Sequence, residues 1–266
     1  MTAIRVTFTA ISLIGLLCMF VPVFTIREKD YVTAAPSEST ALKSLAATFK
    51  NRDFRVFVAS DIAYFLGITM FQTALPFFVT SLLKLDEGMS TVYFVLMTAL
   101  SVLFYVPINK LTPKFGKKKL IVVGFFAYAF VFFITSICGK GLYWGFIVAV
   151  CAAVPQAILG ILPQACVADV AELSRLETGE DRSGMFFAAR TFAFKMGQAI
   201  AMVVFTSITV ATILDNGEKY VAPSQYRTTA IVAFVTCLIG ACLFLLYNEK
   251  MILGRIGELK AEKAAQ

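Results

Sequence analysis

Seven long apolar runs constrain this chain more than any other feature of its sequence. They cover residues 6–26, 56–83, 89–108, 120–138, 142–170, 185–214 and 228–247. Each is close to or longer than the roughly 20 residues that a helix needs to cross the hydrocarbon of a bilayer. Only 15% of the residues are charged, whereas soluble domains have about 25%. The pattern predicts an all-α membrane protein with seven transmembrane helices.

The basic residues are unevenly distributed among the connections between these runs. One set of alternating connections, together with the C-terminal tail, holds 17 of the 24 Lys and Arg, and the other set holds 5. Because cytoplasmic loops carry an excess of Lys and Arg, this predicts an outside N-terminus and a cytoplasmic C-terminus. The net charge of +7 then reflects orientation rather than nucleic-acid binding. We expect a multi-pass protein of the plasma (inner) membrane whose surroundings are the lipid bilayer.

The sequence lacks the groups that many enzymes and metal sites need. It contains no His, which excludes Ser-His-Asp and Cys-His catalysis and every His-ligated metal. The six Cys lie within apolar runs without CxxC spacing, as expected for structural residues. No GxxxxGK[ST] loop is present, so ATP hydrolysis by the P-loop route is excluded. We expect a protein that is not an enzyme and carries no cofactor.

A polar stretch separates the first apolar run from the other six. The run 6–26 exceeds the usual length of a signal-peptide core, and Arg27 and Lys29 follow it, so we interpret it as a membrane helix. Residues 41–49 form a candidate interfacial helix. The predicted organisation is a single transmembrane helix at 1–26, a cytoplasmic linker at 27–55, a six-helix unit at 56–247 and a cytoplasmic tail at 248–266.

Lys195 is the cation that the sequence places deepest in a span. It lies about ten residues into a helix that starts near Met185, hence about 15 Å deep. A charge near the bilayer centre costs at least about 2.5 kcal/mol, so such residues usually face a bundle interior or a water-filled path. Thr191, Lys195 and Gln198 form one stripe. We interpret them as site residues, with a structural ion pair of Lys195 as the alternative, whereas Arg190 can reach the headgroups.

Other polar residues within the runs are weaker candidates. Pro155 and Pro163 predict an interrupted helix with Gln156 and Gln164 beside the break. Transporters often use such helices at binding sites, although a packing kink explains the prolines equally well. Gln72 lies near mid-depth in its span, where it either lines a polar cavity or bonds to a neighbouring helix.

Several charges lie at the predicted cytoplasmic ends of the spans. We expect Asp61 to pair with Arg52 or Arg55 at the interface rather than to act in transport. Asp169 and Glu172 are three residues apart and therefore share one helix face.

Residues 168–198, ADVAELSRLETGEDRSGMFFAARTFAFKMGQ, resemble the signature of the glycoside-pentoside-hexuronide:cation symporters, the melibiose-permease-like branch of the major facilitator superfamily. The matching elements are Ala168-Asp169-Val170, Thr178-Gly179, Arg182-Ser183-Gly184, and Lys195 followed by Gly197. Further agreement lies in Arg27-Glu28, in Lys50-Asn51-Arg52-Asp53-Phe54 and in the basic turn at 109–119. The resemblance covers nearly the whole chain.

The resemblance implies a protein of twelve helices in two halves, of which this chain matches helices six to twelve. It implies a sugar or glycoside site between the halves, alternating access, and a coupling cation, Na⁺ or H⁺, held chiefly by an N-terminal half that we expect as a separate partner. Lys195 carries over as the cation that organises the site, and Asp169, Glu172 and Arg182 as gating or helix-end charges. Ala171-Glu172-Leu173 stands where Asp-Tyr is usual, which leaves the role of Glu172 open.

Other functions fit the same topology. A seven-span receptor or sensor has the same number of helices and the same orientation, and a truncated product without transport or a membrane scaffold is a further alternative. The long first cytoplasmic loop, Lys195 and the basic turn at 109–119 favour part of a transporter. The sequence identifies neither the sugar nor the coupling ion.

Overall fold

The computed structural model describes residues 2–25, 41–209, 212–213, 219–220 and 222–264. The chain divides into two units, Met1–Pro36 and Ser37–Gln266. The first contains α1, Thr2–Thr25. The described helices of the second are α2 Ala41–Lys50, α3 Arg52–Phe77, α4 Gly88–Phe115, α5 Lys117–Ile137, α6 Leu142–Thr178, α7 Ser183–Ile208, α8 Pro223–Phe244 and α9 Glu249–Ala264. A π-helical turn, Phe78–Leu82, follows α3, and two short antiparallel strands, β1 Thr212–Ile213 and β2 Lys219–Tyr220, lie between α7 and α8.

Seven helical segments within the described residues are long and apolar enough to cross a membrane. They are Arg5–Thr25, Arg52–Leu82, Gly88–Phe115, Lys117–Ile137, Leu142–Thr178, Ser183–Ile208 and Pro223–Ala264, of which the last contains both α8 and α9. This confirms the predicted all-α membrane fold with seven spans. The chain is a multi-pass membrane protein.

The helices of the second unit form a bundle with one side less covered than the other. α3 packs against α7 and α8, α6 packs against α4 and α5, and α5 packs against α8. The neighbours therefore follow in the order α7, α3, α8, α5, α6, α4, and the central helices α3 and α6 also meet. Because α5 and α8 cover α3 and α6 on one side, the other side is bordered by α4 and α7.

Glycine residues allow close approach where these helices cross. A Cβ added to Gly197 on α7 would lie 2.9 Å from the backbone oxygen of Ile62 on α3. At Gly240 on α8 it would lie 2.7 Å from the ring of Phe125 on α5. Small residues at crossings are typical of membrane bundles, because helix association in lipid depends on close van der Waals packing.

Of the two interpretations left open for Pro155 and Pro163, the interrupted helix is wrong. The helix runs from Leu142 to Thr178 through Pro155 and Pro163, and both prolines are buried. A proline inside a helix removes one backbone hydrogen bond, but a membrane helix tolerates this loss where neighbouring helices pack around it. The helix ends at Gly179, whose φ of +74° is the left-handed conformation that favours glycine.

The residues predicted as a tail contain a helix. α9 packs against α6, and Ile252 is buried while Ile256 and Leu259 pack at the edge of the core. These three residues have the spacing i, i+4, i+7 of an amphipathic helix. That spacing could have predicted α9 from the sequence, although the helix is too polar to have been recognised among the apolar runs.

Candidate functional site on the open face

The exposed polar side chains on the less covered side of the bundle define a candidate site. Gln72 on α3, Gln164 on α6, and Thr191 and Lys195 on α7 are exposed. We call these four residues the open face.

Three observations relate the helices that carry the open face to one another and to α4. Met202 lies two helical turns beyond Lys195 on the same stripe of α7, and its Sδ lies 3.6 Å from the hydroxyl of Thr73, next to Gln72. Gln72 also borders a shallow depression of about 240 Å³ that residues of α4 line. A Cβ added to Gly160, one turn before Gln164, would lie 3.7 Å from the hydroxyl of Tyr105 on α4.

The members of the open face do not all lie at one depth. We measure from the basic end of the unit, where α3, α5 and α7 begin and α4 and α6 end. Lys195 is 12 residues after Ser183, hence about 18 Å along α7, and Gln164 is 14 residues before Thr178, hence about 21 Å along α6. Gln72 is 20 residues into α3, about 30 Å along it. Lys195 and Gln164 therefore share one level, and Gln72 lies nearer the opposite end.

Lys195 makes no ion pair with any residue that the structure describes. Its Nζ lies 5.2 Å from the ring centroid of Phe194, a cation–π contact. The two carboxylates that lie within the apolar runs pair elsewhere, since Asp61 binds Arg190 and Asp169 binds Lys117. Within this part of the chain, the ammonium group is thus left facing outward from the bundle.

The structure corrects the predictions for Asp61 and Arg190. Asp61 does not pair with Arg52 or Arg55, and Arg190 does not extend to the headgroups. Arg190 Nε instead donates to Asp61 Oδ2 at 3.0 Å, and the two residues are 8% and 3% exposed. The Arg190 guanidinium also lies 5.7 Å from the ring centroid of Phe57.

This buried pair joins α3 to α7. Asp61 is 9 residues into α3 and Arg190 is 7 residues into α7, and both helices start at the basic end. Opposite charges at matching depths on two spans were a signal in the sequence that could have predicted the pair.

Two predicted site residues, Gln156 and Gln198, are not exposed. Gln156 is half-buried, and its Oε1 accepts a hydrogen bond from the hydroxyl of Tyr128 on α5 at 3.3 Å. Gln198 is half-buried beside Gly197 at the crossing of α7 with α3. The structure therefore brings Thr191, Lys195, Gln164 and Gln72 to one side. The roles of all six residues stay predictions.

Asp169 and Glu172 lie near the basic end and tie helices together there. Lys117, at the start of α5, donates to Asp169 on α6 at 2.5 Å. Glu172 pairs with Arg175 on its own helix at 2.8 Å and with Lys260 on α9 at 3.3 Å. These pairs connect α6 to both α5 and α9, and a gating role for them stays a prediction.

The charged side chains in the turn between α6 and α7 bind residues close to them in the sequence. Arg182 pairs with Glu180 at 2.6 Å. The Asp181 carboxylate accepts a hydrogen bond from the backbone N–H of Ser183 at 2.9 Å, and hydrogen bonds from the Ser183 side chain and backbone lower the pKa of Asp181. Arg182 is 13 residues before Lys195, about 20 Å along the helix, so it does not belong to the open face.

No three Cys, Asp or Glu side chains come together as a possible metal site in the part of the chain that the structure describes. The expectation that a coupling cation binds mainly on another half stays a prediction.

Comparison with known proteins identifies the family. The family described as MFS/sugar transport protein matches residues 2–253. The chain belongs to this MFS/sugar transport protein family. It is also similar to an uncharacterized symporter of Synechocystis sp., with 26% identity over 175 residues that cover 60% of this chain and 30% of that protein. The predicted resemblance is confirmed. The match between this MFS/sugar transport family member and that relative spans less than a third of the relative's length.

Proposed function

We propose that this chain supplies one wall of the solute path in a cation-coupled symporter for a sugar or glycoside. The path runs between the open face and an N-terminal half, and the two halves rock around it. The observation that carries the proposal is Lys195, an outward-facing ammonium group about 18 Å along its span with no ion pair among the described residues.

An ammonium group in this position needs water, a carboxylate or a polar solute opposite it. Exposed to hydrocarbon alone, it would cost at least about 2.5 kcal/mol. A polar path along the open face removes that cost, because solute or a carboxylate of the opposing half can accept hydrogen bonds from the three N–H groups of Lys195.

The remaining members of the open face match the chemistry of a sugar. The amides of Gln72 and Gln164 can each donate and accept hydrogen bonds, as sugar hydroxyl groups do. The Thr191 hydroxyl donates to the Phe187 carbonyl oxygen at 2.8 Å and can accept a hydrogen bond from a sugar hydroxyl. Because these residues lie on α3, α6 and α7, a solute bound by all of them would contact three helices at once.

The coupling cation, Na⁺ or H⁺, is assigned in this proposal to the N-terminal half. Asp61 and Asp169 are already held by Arg190 and Lys117. Binding a cation to either would require breaking an existing pair.

Uptake of a panel of radiolabelled sugars and glycosides into membrane vesicles tests the proposal. The chain is produced alone and together with the product of the reading frame immediately upstream, each with a Na⁺ or a proton gradient. We expect gradient-dependent uptake only for the combination, reduced about tenfold or more by Lys195→Gln because one charged hydrogen-bond donor is lost. Lys263→Gln, an exposed change on α9, is the control and should transport normally.

Two results would contradict the proposal. Gradient-dependent uptake that Lys195→Gln leaves intact would remove Lys195 from the path. Absence of uptake under every combination would identify the chain as a product without transport.

A further inference from the structure

A cleft at the basic end of the second unit is separate from the open face. The last turn of α4, the first turns of α5 and the junction of α8 with α9 enclose about 760 Å³. Its lining residues come from these three places: Lys114, Phe115, Gly116, Lys118, Lys119, Val122, Val123, Leu245, Asn248, Glu249, Lys250 and Leu253.

Glu249 holds the walls of this cleft together. Its carboxylate accepts hydrogen bonds from the backbone N–H of Lys117 at 2.7 Å and from that of Lys118 at 2.8 Å. Gly116 makes this approach possible, because its φ is +83° and an added Cβ would lie 3.0 Å from Glu249 Oε2. The start of α9 is therefore fixed against the start of α5, which brings Lys250 to the cleft that the α5 lysines line.

The cleft has an excess of positive charge available to a ligand. Lys114, Lys118, Lys119 and Lys250 line it, and none of their ammonium groups forms an ion pair with a residue described by the structure. The single carboxylate, that of Glu249, is already hydrogen-bonded to backbone amides of α5. The lining residues thus carry four positive charges against one negative charge.

The same cleft has an apolar wall. Val123 on α5, Leu245 after α8 and Leu253 on α9 line it while remaining about half exposed, at 56%, 50% and 43%. A free phosphate ion would gain nothing from this wall. A ligand with a phosphate at one end and hydrocarbon at the other would use both parts.

We propose that the cleft binds an anionic glycerophospholipid. The phosphate lies among Lys114, Lys118, Lys119 and Lys250, and an acyl chain follows the apolar wall into the bilayer. Basic residues at a membrane surface attract anionic headgroups, and charge-assisted hydrogen bonds from ammonium groups to phosphate are strong. The ligand chemistry is a phosphate diester, and the hydrocarbon contact selects the lipid over a soluble phosphate compound. This binding is independent of the proposed transport.

Native mass spectrometry of the purified full chain, with phosphatidylglycerol or phosphatidylcholine added, tests the proposal. We expect phosphatidylglycerol to bind about tenfold more tightly. Changing the four cleft lysines together to Gln should abolish that preference. The charge-matched control changes Lys43, Lys50, Arg55 and Lys263 to Gln, which are exposed residues outside the cleft, and should retain it.

Competition with inorganic phosphate and with glycerol 3-phosphate separates a lipid site from a site for soluble phosphate. We expect neither compound at millimolar concentration to displace the lipid. Displacement by either would overturn the lipid assignment, and an equal loss of preference in the cleft and control variants would overturn the site.

If circular dichroism shows that the fourfold variant is unfolded, the pair Lys119→Gln/Lys250→Gln replaces it, because both side chains are exposed. That pair should lower the preference several-fold. An unchanged preference would again overturn the site.

Discussion

Arg190 and Lys195 are two cations on one helix with opposite environments. Arg190 is buried and hydrogen-bonded to Asp61, whereas Lys195 is exposed and contacts only the ring of Phe194 among the interactions described. Five residues of helix rotate the side-chain direction by about 140°, so the two point to nearly opposite sides. The comparison separates a charge whose ion pair joins α7 to α3 from a charge that has no ion pair in the described part of the bundle.

From the sequence alone, Arg190 was expected to be the exposed cation of the two. Arg190 was expected at the headgroups because it lies closer to the end of its span, yet depth alone does not determine whether a cation is buried. The direction of the side chain and the presence of Asp61 at a matching depth on α3 determine it. An unpaired charge inside the bundle would be far more costly than a paired one.

Removing one member of the buried pair should have the largest effect on stability. Asp61→Ala or Arg190→Ala leaves its partner charged and unpaired, and we expect a loss of about 3 to 5 kcal/mol in the free energy of unfolding. Lys195→Ala, five residues away on the same helix, should change it by less than about 1 kcal/mol. Denaturant unfolding of the detergent-solubilised chain measures both. Equal losses at the two positions would contradict the distinction drawn between them.

The crossing that brings Arg190 to Asp61 should be sensitive to an added methyl group. Gly197→Ala places a Cβ 2.9 Å from the Ile62 oxygen, and overpacking of this kind costs about 1 to 3 kcal/mol. Gly184→Ala on the same helix is the matched control, because its added Cβ meets nothing within 4 Å. The same denaturant measurement applies, and a control as unstable as Gly197→Ala would point to a general effect of substituting glycine in α7.

Replacing both members of the pair should be milder than replacing one. Asp61→Leu with Arg190→Met removes both charges together, and such replacements are often neutral, so we expect a stability within about 1 kcal/mol of the unaltered chain. A double variant as unstable as the single ones would show that the damage arises from lost packing, not from an unpaired charge.

The smallest effect is expected at an exposed pair with the same nitrogen–oxygen distance. Arg255 and Glu258 are 3.0 Å apart, the same distance as Arg190 and Asp61, but both are exposed. Water and salt screen such pairs, so Arg255→Ala should leave the unfolding curve unchanged within error. A clear loss of stability would show that distance, and not burial, determines the strength of these pairs.

The sequence predicted the spans well because their length and hydrophobicity follow directly from bilayer thickness. It did not predict the continuity of α6, since Pro155 and Pro163 disrupt an isolated helix but are tolerated within a packed bundle. It placed Lys195, Gln164 and Gln72 among the candidates by polarity and depth. It could not show that Gln156 turns inward to Tyr128, because that depends on how α5 packs against α6.

Labelling of a cysteine at position 195 tests the central claim most directly. In a background without the six native cysteines, Lys195→Cys is treated with a water-soluble, membrane-impermeant thiol reagent in vesicles that contain the transporting assembly. Ala193→Cys is the buried control, since Ala193 is 3% exposed. We predict that position 195 reacts, that a transported sugar slows the reaction several-fold, and that position 193 stays unmodified. No reaction at 195, or a rate that the sugar leaves unchanged, would contradict the placement of Lys195 on a solute path.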